Sequence, residues 1–268
     1  MQDHSARPIG VFDSGLGGLT VARALIDLLP DEHFVYFGDT GRFPYGPKPA
    51  GEVQKYSFEI ADLLVESSVK MLVVACNSAS AAALEGLRER LDIPVVGVID
   101  PGVRAARDAT RSGRVGVIGT VGTISSGAYQ RCAAALSEPI ALACAACPGF
   151  VEFVEAGDVD SDQVHVLAER LLAPLIAARV DTLVLGCTHY PLLSRTIGDV
   201  MGPDVVLVSS AEETAFEVRD RLCAAGAADA RAVNAHRFVT SGDVDQFLAL
   251  GARFLGPEVQ SVESWCWS

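Results

Sequence analysis

Two cysteines stand where this chain could do chemistry. Cys76 follows the apolar run Met71-Leu72-Val73-Val74-Ala75, and Cys187 follows Thr182-Leu183-Val184-Leu185-Gly186. Each is succeeded by residues suited to capping a helix, Asn77-Ser78 in one case and Thr188 in the other. In open parallel sheets, functional groups gather at the carboxyl ends of strands, where loops and helix N-termini converge. Free backbone N–H groups and the positive end of a helix favour thiolate there, and the same groups can bind a carboxylate. Two such thiols facing across a cleft suit one task. Inverting a stereocentre needs a base on one face of the carbon and an acid on the other, with the roles exchanged in the reverse direction. One thiolate and one thiol meet that demand both ways, each acid–base partner typically contributing about 10²–10⁴ in rate.

The remaining groups exclude other chemistries. Free cysteine often simply fills a core, and Cys132, Cys144, Cys223 and Cys266 are read that way. Cys144 and Cys147 have CxxC spacing, but no second pair or nearby histidine completes a zinc set, so no metal is expected. Lysine occurs only at Lys48, Lys55 and Lys70, none at the end of an apolar strand, which argues against a pyridoxal phosphate Schiff base. The segment Gly15-Leu16-Gly17-Gly18 lacks the third glycine and the lysine of nucleotide-binding loops. Its glycines are expected instead to let backbone approach a small anionic substrate. No cofactor is expected.

The elements that must position the cysteines follow from patterning. Nine short runs rich in valine and isoleucine do not alternate with polar residues, as expected of strands covered on both faces. They are Ile9–Phe12, Phe34–Phe37, Met71–Ala75, Val95–Ile99, Val115–Ile118, Ile140–Cys144, Leu183–Leu185, Val205–Val208 and Phe238–Thr240. Amphipathic helical segments lie between them. Ala22, Leu25, Ile26 and Leu29 share one helical face before Pro30, and Val164, Leu167, Leu171 and Leu175 share another. The layout also occurs twice, about 110 residues apart. Ile9-Gly10-Val11-Phe12-Asp13-Ser14-Gly15 is echoed by Val115-Gly116-Val117-Ile118-Gly119-Thr120, and the strand before Cys76 by the strand before Cys187. The reading is an α/β protein of two similar domains with mainly parallel sheets, related by a pseudo-two-fold, with the site in the cleft between them.

Bulk properties set the setting. The chain has 268 residues, half of them hydrophobic, but no apolar run near the roughly 20 residues that span a bilayer. Met1–Pro8 is polar and lacks the pattern of a signal peptide. Seven scattered cysteines do not read as a disulfide framework, and a reducing, cytoplasmic location is expected. A net charge of −13 with no basic run argues against nucleic acid and anionic membranes as partners.

Five motifs in order then carry a resemblance. They are Gly10-Val11-Phe12-Asp13-Ser14-Gly15-Leu16-Gly17-Gly18-Leu19-Thr20; Gly38-Asp39-Thr40 with Arg42-Phe43-Pro44-Tyr45-Gly46; Ala75-Cys76-Asn77-Ser78-Ala79; Gly119-Thr120-Val121-Gly122-Thr123; and Gly186-Cys187-Thr188-His189-Tyr190-Pro191. Over nearly its whole length the chain resembles the glutamate racemases, two-cysteine enzymes of the aspartate/glutamate racemase superfamily that need no cofactor. The resemblance implies Cys76 and Cys187 as proton-transfer residues. It implies that Asp13, Ser14, Tyr45, Gly46, Asn77, Ser78, Thr188 and His189 line a glutamate pocket, with Thr120 and Thr123 at the substrate as well. It implies domains of 1–97 with 210–268 and of 98–209, a homodimer, and D-glutamate made for peptidoglycan. Ser78 departs from the threonine common in the family but keeps the hydroxyl.

Beside that transfer, Asp13 is placed to assist Cys76 and His189 to assist Cys187, histidine being the side chain that changes charge near neutral pH. The plainer roles are a helix N-cap for Asp13 and a buried structural histidine for His189. Either Glu152 or Glu155 can reach the site. Two rival functions remain open: racemisation of aspartate or a hydantoin, and an amino-acid-binding protein without chemistry.

Overall fold

Nearly continuous apolar runs form strands only where both faces are covered. In the computed structural model, which describes residues 7–225 and 236–267, they make two sheets. The stretch Met1–Pro8 therefore lies almost wholly outside the described residues, as does part of 210–268. Strands β1 (Ile9–Asp13), β2 (Phe34–Gly38), β3 (Met71–Val74), β4 (Val95–Gly97), β9 (Arg237–Thr240) and β10 (Glu263–Ser264) form one sheet, in the order β10-β9-β2-β1-β3-β4. Strands β5 (Arg114–Gly119), β6 (Ala141–Ala146), β7 (Thr182–Gly186) and β8 (Val206–Ser209) form the other, in the order β6-β5-β7-β8. Every pairing is parallel.

The internal echo reappears as topology. The order β2-β1-β3-β4 in one sheet is matched by β6-β5-β7-β8 in the other, so β1 corresponds to β5 and β3 to β7. Those are the strands whose sequences repeat. The larger sheet adds β9 and β10 beyond β2.

Helices cover both faces of both sheets. On one face of the larger sheet, α1 (Leu19–Leu28), α10 (Ser210–Ala224) and α11 (Val244–Phe254) bury Leu19, Leu25, Val218 and Phe247; on the other, α2 (Ala50–Glu66) and α3 (Asn77–Arg90) bury Ile60, Leu64, Ala83 and Leu87. The smaller sheet is packed by α7 (Phe150–Glu155), α8 (Asp162–Ala177) and α9 (Ser194–Met201) on one side, and by α4 (Ile99–Ala109) and α6 (Ala128–Ala134) on the other. In α8 the fully buried stripe is Val164, Ala168, Leu172 and Leu175, one step round from the expected face; Leu167 and Leu171 sit at its edge.

Three differences from the expected strands have local causes. β4 stops at Gly97 because Ile99 already begins α4, with Asp100 in its favourable first turn. β6 runs on to Ala146, carried by five successive pairings with β5 from Val115↔Leu142 to Gly119↔Ala146. β10 is two exposed residues and has no apolar run to announce it. Among the described residues, no helix is long and apolar enough to cross a membrane.

The turn from β1 into α1 is unusually tight. A Cβ at Gly18 would lie 2.5 Å from Asp13 Cβ and 3.0 Å from Ala75 Cβ, atoms with no freedom to swing away. Gly18→Ala should therefore cost about 1–3 kcal/mol, as overpacking does. Gly51→Ala, with nothing within 4 Å, should not destabilise at all. Thermal unfolding of the two variants beside the parent checks the contrast.

Candidate active site

The carboxyl ends of both sheets face one cavity of about 100 Å³. Cys76 enters it just after β3, as the N-cap of α3, and Cys187 just after the corresponding strand β7. Both thiols are free and buried. Ser14, Tyr45, Gly46, Asn77, Ser78, Thr120, Thr188 and His189 also line it. Asp13 and Thr123 do not: they sit directly behind the lining residues and are 0 % and 1 % exposed.

On the Cys76 side, β1 delivers Asp13 beneath the sulfur. The Cys76 thiol donates to Ser14 Oγ at 3.7 Å, and the Ala79 N–H donates to Cys76 Sγ at 3.5 Å. Asp13 Oδ2 accepts from the Gly15 N–H at 3.0 Å, whereas Gly18 is the N-cap of α1, so Asp13 braces the turn without capping the helix. Its other oxygen, Oδ1, is buried with no partner. Burial raises the Asp13 carboxyl above its usual range, against the opposing pull of His189 and two backbone N–H groups. Burial, and then the Asp13 charge, push the Cys76 thiol up to about 12. The thiolate expected at a helix start is thus not the resting form here, because desolvation outweighs the helix end.

The Cys187 side is built differently. No α-helix begins at Thr188; Tyr190–Leu193 form a 3-10 turn with His189 at its N-cap and Pro191 inside it, and α9 follows only at Ser194. That turn swings His189 back over the sulfur, with Nδ1 3.9 Å from Cys187 Sγ and Nε2 2.7 Å from Glu155 Oε1. The imidazole lies between the rings of Phe43 and Phe254, each with its centroid 5.9 Å away. Burial would lower its pKa, but the hydrogen bonds to Cys187 and Glu155 and the nearby negative charges outweigh it, raising His189 to about 10. The two open glutamates take separate places: Glu152 lines the cavity, and Glu155 stands behind His189.

Donors for an anion are concentrated opposite. Asn77 Oδ1 accepts from the Tyr129 hydroxyl at 2.8 Å, which leaves Nδ2 buried and unpartnered at the cavity. Ser78 Oγ lies 3.0 Å from Thr120 Oγ1 and 3.2 Å from Thr123 Oγ1, so the serine hydroxyl completes a cluster with the two threonines. Gly122 N–H donates to Gly46 C=O at 2.9 Å, tying the rim of one half to the other. The glycines of the first motif behave otherwise than expected. A Cβ at Gly17 would lie 2.3 Å from Thr188 Oγ1 and 2.5 Å from His189 Nδ1, so the close approach is to protein, and Gly17 does not line the cavity.

Sequence reasoning passed over Cys147. It follows β6, lines the cavity, and has its thiol pushed up to about 12 by burial and then by neighbouring Cys187. Its CxxC spacing pointed to metal, while the useful signal was its place directly after a strand of the sheet that also bears Cys187.

The His189 pair has a pH signature. The folded-state pKa is raised, so bound proton stabilises the fold fully below the unfolded value near 6.5, and this contribution is lost as pH climbs through about 10. Glu155→Gln should lower the His189 pKa, shown by NMR titration of the imidazole, and move that alkaline loss of thermal stability to lower pH.

With this geometry in hand, comparison with known proteins is specific. Residues 9–217 match the Asp/Glu/Hydantoin racemase family. A glutamate racemase of Parafrankia sp. (strain EAN1pec) is 55 % identical over 260 residues, covering 96 % of this chain and 94 % of that protein. The crystal structure of glutamate racemase isoform RacE1 from Bacillus anthracis superposes with a TM-score of 0.91 at 44 % identity, covering 99 % of this chain and 98 % of that one. The Francisella tularensis glutamate racemase, solved in complex with D-glutamate, gives a TM-score of 0.91 at 33 % identity over 97 % of this chain and 98 % of its own. The chain belongs to the Asp/Glu/Hydantoin racemase family, and within it to the glutamate racemases.

Proposed function

We propose that this racemase interconverts L- and D-glutamate without a cofactor, by proton transfer between the substrate α-carbon and the pair Cys76 and Cys187. One observation carries the reading: two buried thiols, at the ends of corresponding strands in two separate sheets, open into one cavity. In one direction the sulfur of Cys187 takes the α-proton and becomes a thiol. The carbanion left on the substrate takes the proton of the Cys76 thiol from the opposite face, leaving Cys76 as thiolate. The reverse reaction starts from that state, so no proton is gained or lost over a full cycle. Asp13 steadies the proton on Cys76 until it is transferred, and His189, kept protonated by Glu155, stabilises the Cys187 thiolate by its charge and its Nδ1–H.

Binding follows from the donors that line the cavity. Asn77 Nδ2 and the hydroxyls of Ser78, Thr120 and Thr188 are assigned to the substrate carboxylates, with Ser14, Tyr45 and Gly46 closing the pocket. A desolvated cavity lets these fixed dipoles stabilise the charge that develops at the α-carbon more strongly than water would. Residues 1–97 with 210–268 and residues 98–209 act as the two domains that open for exchange. The Francisella relative binds D-glutamate in the same fold. The product D-glutamate would supply peptidoglycan synthesis in the cytoplasm, and the working form would be a homodimer.

Incubating the protein with L-glutamate in D₂O tests the reading directly. Loss of optical activity with deuterium at Cα supports it; no loss and no exchange in folded, reduced protein overturns it, and aspartate assayed in parallel identifies the rival substrate. Cys76→Ala and Cys187→Ala should each reduce racemisation by at least about 10²-fold. Asn77→Ala removes a hydrogen bond to a charged group worth about 1.5–3 kcal/mol, so KM should rise roughly 10–100-fold.

A further inference from the structure

The rim of the cavity is an irregular segment, Phe43 to Pro47, between a 3-10 turn at Thr40–Arg42 and the start of α2. Its placement has little tolerance. Gly46 C=O takes the Gly122 N–H, and a Cβ at Gly46 would lie 2.8 Å from Thr120 Cβ. Two prolines and a glycine make few regular backbone hydrogen bonds of their own, so something outside the segment must hold it.

That anchor is Asp39, which follows β2 and is fully buried. Each of its oxygens accepts two hydrogen bonds. Oδ2 takes Arg42 Nε at 2.7 Å and the Tyr45 hydroxyl; Oδ1 takes Ser241 Oγ at 2.6 Å and Trp267 Nε1 at 2.9 Å. The Arg42 guanidinium is stacked between two rings, 4.0 Å from the centroid of Tyr56 and 3.8 Å from that of Trp267. Trp267 also packs on Phe37 of β2, with centroids 5.6 Å apart. It is brought there by strand addition: β10 pairs with β9, and the Trp265 N–H donates to Thr240 C=O at 2.8 Å. One indole thus completes the shell of a buried carboxylate and lids the arginine that shares it.

We propose that Trp267 is a positioning residue for the substrate rim, fixing Tyr45 and Phe43–Pro47 through Asp39 and Arg42 and so setting affinity for the substrate. The inference rests on the reading of this cavity as the glutamate site. The cysteines stand at the ends of β3 and β7, whereas the hydrogen bond and ring contacts of Trp267 go to Asp39, Arg42, Phe37 and Trp265. Loosening the rim therefore lowers the fraction of molecules competent to bind, which divides the apparent affinity and leaves the chemical step intact. A rim that is competent one-tenth of the time gives about a tenfold rise in KM with kcat unchanged.

Full-length Trp267→Ala and Trp267→Phe test this by two readouts, steady-state kinetics in both directions and hydrogen exchange of the five amides that segment 41–47 carries, those of Gly41, Arg42, Phe43, Tyr45 and Gly46. Trp267→Ala should raise KM about tenfold with kcat within about twofold, and those amides should exchange faster than in the parent. Trp267→Phe keeps a ring over Arg42 but loses the N–H, so it should fall between the two. Unchanged exchange in 41–47, or a kcat loss at constant KM, overturns the proposal. If the parent protein fails to racemise glutamate, the functional reading falls, and the exchange measurement still decides whether Trp267 holds the rim.

Discussion

The carboxyl ends of two parallel sheets have to approach closely enough for groups from both to meet on one carbon, and this approach governs everything else at the site. It is held by contacts without slack. Gly17 lies against Thr188 and His189 where no side chain fits, Gly122 donates to Gly46, and Ser78, Thr120 and Thr123 share a cluster of hydroxyls across the gap. Parallel strands make this geometry available because all their ends, with the loops that follow, point the same way. Two sheets built in the same strand order then offer matching positions, and Cys76 and Cys187 occupy them.

The two sides are matched in position but not in electrostatics. Cys76 sits over a carboxyl that is itself buried and short of a partner, and both Asp13 and the thiol are driven toward their protonated forms. Cys187 sits beside an imidazole that a second carboxylate holds in its charged form. Corresponding strands thus place the two sulfurs alike, and unlike neighbours set their protonation.

Much of this was legible in the residues. The alternation of apolar runs with helical stripes identified nine strands, and the repeat anticipated the shared strand order, since hydrophobic periodicity depends directly on burial. The cysteines stood out because each ended a run. What escaped had no such dependence. β10 is defined by its partner β9 and by nothing in Glu263-Ser264 themselves. The tight glycines were read as making room for a ligand when they make room for Thr188 and His189, a contact 171 residues away in sequence that no local pattern encodes. The acidity of Cys76 was misjudged because a helix end is visible in a sequence and the desolvation opposing it is not. Glu152 and Glu155 lie on one short helix, and which of them faces the cavity depends on how α7 packs.

Trp265 and Trp267 are the two tryptophans of the chain, and both lie in the short segment after β10, edge to face at 6.1 Å. All indole emission from this protein consequently arises at one corner, where one ring is pressed against a guanidinium and hydrogen-bonded to a carboxylate within reach of the cavity rim. A charge pressed on an indole face shifts its excited state, so the molecule carries an intrinsic optical gauge of that corner, readable in solution without any added label.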